Sequence, residues 1–201
     1  MNVFKVVRIA KRGALSPEEF RRELRDARGS SPAKTVVSLS TGEVALGGKE
    51  APFDGMAALY YPTLDAARTA AGRWSDAVVC DEYLMSQKPD PQMRIKIIRT
   101  VYRRRDLTHA QFKDYWLKNH SRLEDRVIAE SPVQRIVATF AVPEPGKDPA
   151  FDGMVELYFA NAADIRSMFA GPIPAMMRKD EENFVQMDAP AIRLVAEEIP
   201  T

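Results

Sequence analysis

The sequence predicts an α+β fold: two tandem β-α-β-β-α-β units that pair sheet to sheet as one intrachain α+β barrel. Three observations predict it. The first is an internal repeat, in which Phe53-Asp54-Gly55-Met56 returns as Phe151-Asp152-Gly153-Met154. Flanking segments return in the same order: Lys5-Val6-Val7-Arg8 with Lys96-Ile97-Ile98-Arg99, Ala58-Leu59-Tyr60-Tyr61 with Glu156-Leu157-Tyr158-Phe159, and Asp81-Glu82 with Asp180-Glu181. The second is a capping box at the same place in each copy, Ser16-Pro17-Glu18-Glu19 and Thr108-His109-Ala110-Gln111. The third is a set of short runs rich in β-branched residues, bounded by turn residues.

Each unit begins with a strand, 3–9 in the first copy and 95–102 in the second, where Val and Ile dominate. A helix follows each capping box; in the second copy it runs over 108–129. Second strands are expected at 35–40 and 133–142, third strands after the two Phe-Asp-Gly-Met turns, and short helices at 64–71 and 162–169. The last strands are placed at 78–85 and 184–196. This order is the ferredoxin-like split βαβ motif, which leaves one sheet face bare, and two such faces can cover each other. The units span residues 1–87 and 94–201, and Pro89 and Pro91 make 88–93 an extended linker.

Composition narrows the function classes. Across 201 residues, 29 basic side chains face 28 acidic ones, so there is no field suited to nucleic acid or an anionic membrane. A single cysteine, Cys80, excludes an intrachain disulfide and a cysteine metal cluster, and reads as a small buried residue. With two histidines, a zinc or two-histidine iron site is not expected. The N-terminal apolar stretch is interrupted by Lys5 and Arg8, and no long apolar run follows, so the expected location is cytoplasmic. There is no Gly-rich phosphate loop, dinucleotide fingerprint or nucleophile elbow, and no cofactor is expected.

The second copy carries the candidate site. Phe112, Tyr115, Trp116 and Leu123 share one helix face, and His120 falls about 40° from Trp116. Aligning the copies places Arg28 opposite His120, Leu24 opposite Trp116, Glu23 opposite Tyr115 and Ala58 opposite Glu156. The first copy thus keeps the scaffold and lacks the polar set. His120 is the candidate base and Glu156 the carboxylate that would orient it from a neighbouring strand. The other reading turns Glu156 to the opposite strand face, paired with a basic residue such as Arg99. Tyr102, Tyr115, Trp116 and Tyr158 are candidates to hydrogen-bond or stack on a substrate, each equally able to serve as core. Met168, Met176 and Met177, around Gly171-Pro172-Ile173-Pro174, suggest an adaptable apolar lip. Arg103-Arg104-Arg105 reads as a solvated turn able to grip a carboxylate, and His109 as exposed.

Tyr102-Arg103-Arg104-Arg105-Asp106-Leu107-Thr108, followed by Phe112, Trp116 and His120, resembles the opening of the EthD domain. Residues 151–159 resemble that family's third strand and Asp180-Glu181-Glu182-Asn183-Phe184 its acidic turn; the resemblance covers about residues 94–197 and, more faintly, 3–86. It implies the dimeric α+β barrel fold of muconolactone isomerases, antibiotic-biosynthesis monooxygenases and polyketide cyclases, with a ligand cavity between sheet and helices. The function expected is cofactor-independent acid/base chemistry, as an isomerase, cyclase or lyase, on a hydrophobic aromatic or polyketide-like metabolite. Two alternatives stand beside it: a non-catalytic ligand-binding or stress-associated barrel, and a haem-binding or cofactor-free oxygenase. A small molecule is the expected partner, and a homodimer of the fused chain is left open.

Overall fold

The computed structural model describes residues 3–44 and 53–199. Eight strands hydrogen-bond in the order β1-β3-β2-β8-β5-β7-β6-β4, a closed antiparallel barrel, where β1 is Phe4–Ala10, β2 Lys34–Ser40, β3 Gly55–Tyr61, β4 Val78–Gln87, β5 Ile95–Val101, β6 Arg135–Ala141, β7 Gly153–Phe159 and β8 Arg193–Ile199. The chain packs as two compact units. One comprises Met1–Glu82, Ala141–Ala150 and Leu194–Thr201; the other comprises Tyr83–Phe140 and Phe151–Arg193.

In the first unit β3 lies between β1 and β2, with Lys5 opposite Tyr60 and Val7 opposite Ala58. Helices α1 (Pro17–Arg25) and α2 (Leu64–Ala71) put Phe20, Leu24, Ala67 and Ala70 onto Val6, Val37, Ala57 and Leu59. The alternate residues of the same strands, Lys5, Val7, Met56 and Ala58, are buried as well. Both faces of this sheet are therefore closed to water, which explains continuous apolar runs in place of strict alternation.

The second unit repeats these relations residue by residue. Lys96 stands opposite Tyr158 and Ile98 opposite Glu156 across β5 and β7. The recurring Phe-Asp-Gly-Met turn owes its sequence to two tasks. Its aspartate accepts the backbone N–H two residues past the first strand, Asp54 from Arg12 at 2.8 Å and Asp152 from Arg103 at 3.0 Å. Its glycine lies under the helix, since a Cβ on Gly55 would meet Leu24 Cδ1 at 2.8 Å, and one on Gly153 would meet Phe112 and Trp116 at 3.0 Å.

Both capping boxes form. Ser16 caps Glu19 and Thr108 caps Gln111, with the Glu19 and Gln111 side chains returning to the cap N–H groups. Thr108→Ala is accordingly expected to cost about 1 kcal/mol, read as a lower urea midpoint at unchanged m-value.

Three expected elements differ. The 108–129 helix is divided into α3 (His109–Tyr115), a π-helical turn (Trp116–His120) and α4 (Ser121–Glu130). A last strand from 184 does not form. Phe184 instead ends a turn after α6 (Ile173–Glu181), and only from Arg193 is the chain extended in β8. Pro190, lacking an N–H, helps keep the intervening stretch out of the ladder. The Gly171-Pro172-Ile173-Pro174 segment is not a loose lip: it starts α6 directly after α5 (Ala162–Ala170), with proline tolerated in the first helical turn.

Candidate functional site

The site is built on the π turn of the second unit. Widening the helix by one residue per turn rotates its face, and such single turns concentrate at functional sites. Here the turn buries Trp116 and His120 together, with His120 only 3% exposed. Their rings meet edge to face at 5.8 Å, and Phe184 stands 5.0 Å from the imidazole. Phe112 and Phe140 complete the aromatic wall around Trp116.

His120 Nδ1 lies 2.7 Å from Asp180 Oδ2 on α6. The Tyr115 hydroxyl donates to Asp180 Oδ1 at 3.1 Å, and Asn183 Nδ2 donates to the Asp180 carbonyl at 3.0 Å. Accepting from Nδ1–H, the carboxylate fixes the tautomer and leaves Nε2 as the basic nitrogen. Burial holds the imidazole pKa below its usual value, against the opposing pull of the Asp180 hydrogen bond and of Glu181. His120 is therefore neutral near pH 7. Asp180 is 20% exposed and Tyr115 half-buried, so this edge of the dyad meets solvent. Beside it Arg99 donates to Glu181 at 2.6 Å.

The expected pairing of His120 with Glu156 is corrected. Gly153 and Val155 on β7 pack on the helix, so Glu156 takes the opposite face. There it accepts from Lys96 at 2.6 Å and sits 3.3 Å from the Tyr158 hydroxyl. The alternative reading places Glu156 on this side with a basic residue such as Arg99; Lys96 takes that place. Tyr158 therefore lies with Glu156, and not with His120. Of the other candidates, Tyr115 and Trp116 touch the dyad or its wall, and Tyr102 is half-buried with its carbonyl accepting from Gln186. Met168 is buried on α5, while Met176 and Met177 are half-buried on α6, which packs on α4 and α5. His109 is half-buried rather than exposed, its Nε2 without a hydrogen-bond partner among the described residues. Arg103 and Arg104 bind Asp152 and Asp106. Cys80 is buried, and burial pushes its thiol pKa up.

Two residues were missed by sequence reasoning. Asp180 was visible as a member of the acidic turn but not as the partner of His120. Glu124, one turn beyond His120 on the same face, is 1% exposed and accepts from Trp116 Nε1 at 3.1 Å. Its signal was present: a carboxylate in step with Trp116 and His120 at a spacing of four. In the first unit α1 stops at Arg25, and Arg28 lies beyond it with φ 45°. The corresponding region holds Arg8 and Arg28 over Trp74, at 4.9 and 5.5 Å, with Glu23 bridging both cations.

Comparison with known proteins follows this division. Residues 104–188 match the EthD domain. No curated protein sequence matches the chain. Solved structures match over nearly all of it: an anthrone oxidase-like protein has a TM-score of 0.66 at 5% identity, covering 99% of this chain and 92% of its own. A chlorite dismutase mutant from Candidatus Nitrospira defluvii has 0.53 at 10% identity, covering 99% and 90%. A haem-binding protein from Thermus thermophilus has 0.51 at 14% identity, covering 99% and 91%. At such identities the likeness is one of fold. Among the described residues no helix is long and apolar enough to cross a membrane.

Proposed function

We propose that the EthD domain carries out cofactor-independent, base-initiated oxidation of a flat aromatic carbon acid. The observation that carries this reading is the 2.7 Å bond between His120 Nδ1 and Asp180 in an aromatic wall. His120 Nε2 takes a proton from a CH₂ group made acidic by conjugation to a carbonyl. The carbanion forms a C–O bond to dioxygen, which is reduced to a hydroperoxide. Loss of the second C–H proton and cleavage of the O–O bond release water and leave a carbonyl, so that CH₂ and O₂ become C=O and H₂O. Isomerisation or cyclisation would share the first step and end in reprotonation; the anthrone oxidase-like neighbour favours the oxygen-consuming course. Phe184, on a turn outside the ladder, is the ring that a flat substrate would displace to reach the imidazole.

Haem, bound by one neighbour, fits these residues poorly. An axial histidine benefits from a carboxylate on Nδ1, but it must also present Nε2 to an open porphyrin face. His120 is 3% exposed and packed between Trp116 and Phe184, so a porphyrin face would have to move both rings, where the edge of a flat substrate displaces Phe184 alone.

The tandem reading belongs to the same proposal. Residues 1–87 and 94–201 are two copies of one ferredoxin-like unit, the first without the dyad; the equivalent registers of β1 with β3 and β5 with β7 support it. The test is oxygen uptake and carbonyl product formation with anthrone. His120→Gln, which keeps the volume but not the basic nitrogen, is expected to lower kcat at least about a hundredfold at unchanged Tm. Wild-type turnover by this variant, or a Soret band in the purified protein, would overturn the reading.

A further inference from the structure

Glu124 has a feature the dyad does not use. Its Oε1 is held by the Trp116 indole, while Oε2 is buried and makes no hydrogen bond among the described residues. A buried carboxyl oxygen with no partner is costly, and such groups call for an explanation. His120 and Glu124 are four residues apart across the start of α4, with side chains about 5–6 Å apart at Cβ on one helix face. That spacing suits the distance across one ring between an acidic carbon and the oxygen that takes up its charge.

We infer that Glu124 is a further catalytic residue, held at Oε1 by Trp116 and hydrogen-bonding through Oε2 to the substrate oxygen that becomes anionic when His120 removes the proton. This rests on the proton-abstraction reading above. Because Oε1 accepts the indole N–H, the carboxyl proton belongs on Oε2, where it is a donor. Burial pushes the Glu124 pKa up to about 7, with Asp125 adding to the rise and the Trp116 bond opposing it, so the donor form is present at and below neutral pH. A donor already in place at a developing oxyanion, in a site closed to water, is a strong source of rate.

Glu124→Gln and Glu124→Met separate this role from packing. Glutamine can still accept from Trp116 and offers an N–H in place of the acid proton; methionine does neither. With anthrone, Glu124→Met is expected to lower kcat about a hundredfold with little change in KM, and Glu124→Gln to recover most of it. Binding of 2-naphthol, a flat ring with one oxygen, should weaken about tenfold in Glu124→Met and recover in Glu124→Gln. Should Glu124→Met fail to fold, the infrared carbonyl band absent from Glu124→Gln identifies Glu124 in the wild type, and that band should shift when 2-naphthol binds. If Glu124→Met matches the wild type, or the band stays still under saturating 2-naphthol, the inference is wrong. An inactive His120→Gln beside a fully active Glu124→Met removes only this role, whereas an active His120→Gln removes the oxidation reading itself.

Discussion

Glu156→Leu is expected to destabilise the protein by about 3–5 kcal/mol, the range for removing one carboxylate from a buried, hydrogen-bonded ion pair. Lys96 and Glu156 are 2.6 Å apart with side chains 2% and 3% exposed, and the Tyr158 hydroxyl bonds the same carboxylate oxygen. Lys96 also donates to the Tyr158 hydroxyl at 3.3 Å. Lys96→Met combined with Glu156→Leu should recover most of the loss, because the double change removes both charges and retains volume. Urea midpoints at pH 7 for the two single variants and the pair close the cycle. A Glu156→Leu protein within about 1 kcal/mol of the wild type would mean that the pair does not persist in solution. The first unit offers a control, since Lys5 is also buried but meets Glu82, which is 23% exposed. Relief by solvent should make Glu82→Leu milder than Glu156→Leu.

The contrast between these two lysines also shows what the sequence could tell. The repeat placed Lys5 beside Lys96 and Tyr60 beside Tyr158, and the strand registers agree. It also singled out Glu156 against Ala58, but a carboxylate for Lys5 comes from Glu82 on β4, 77 residues away in sequence, and no spacing rule exposes that exchange. Capping boxes and the Phe-Asp-Gly-Met turns were legible because their hydrogen bonds are local. His120 was legible as part of an aromatic stripe, whereas its partner was not, for two reasons. The π turn rotates residues 116–120 away from the ideal 100° spacing, and Asp180 arrives on α6, a helix hidden by the prolines at 172 and 174. Phe184 misled for a related reason, since its hydrophobicity reads as a strand while it serves to anchor a turn into the aromatic core. Local sequence thus specifies the scaffold, and the pairings that give it chemistry depend on contacts 60 residues apart.

Raising the pH from 5 to 8 should cost the wild-type protein on the order of 3 kcal/mol relative to Glu124→Gln. The sign is set by the proton count. Glu124 titrates near 4.5 when unfolded and near 7 when folded, so between those values the folded state holds the extra proton. Stability from this group is fully present below the unfolded value and is lost as pH rises through about 7. The difference between the two values, at about 1.4 kcal/mol per pH unit, sets the size. His120 acts at the other end of the same window. Its lowered pKa gives stability that is present above the unfolded value and lost as pH falls through the folded one, so acid should weaken wild type and Glu124→Gln alike. The difference between the two proteins therefore isolates Glu124. Urea unfolding at half-unit pH steps should show the curves diverging above about pH 5 and running parallel above about pH 8. Parallel curves throughout would mean that the Glu124 carboxyl is ionised in the folded protein at acid pH, and would leave its Oε2 an acceptor with nothing to donate.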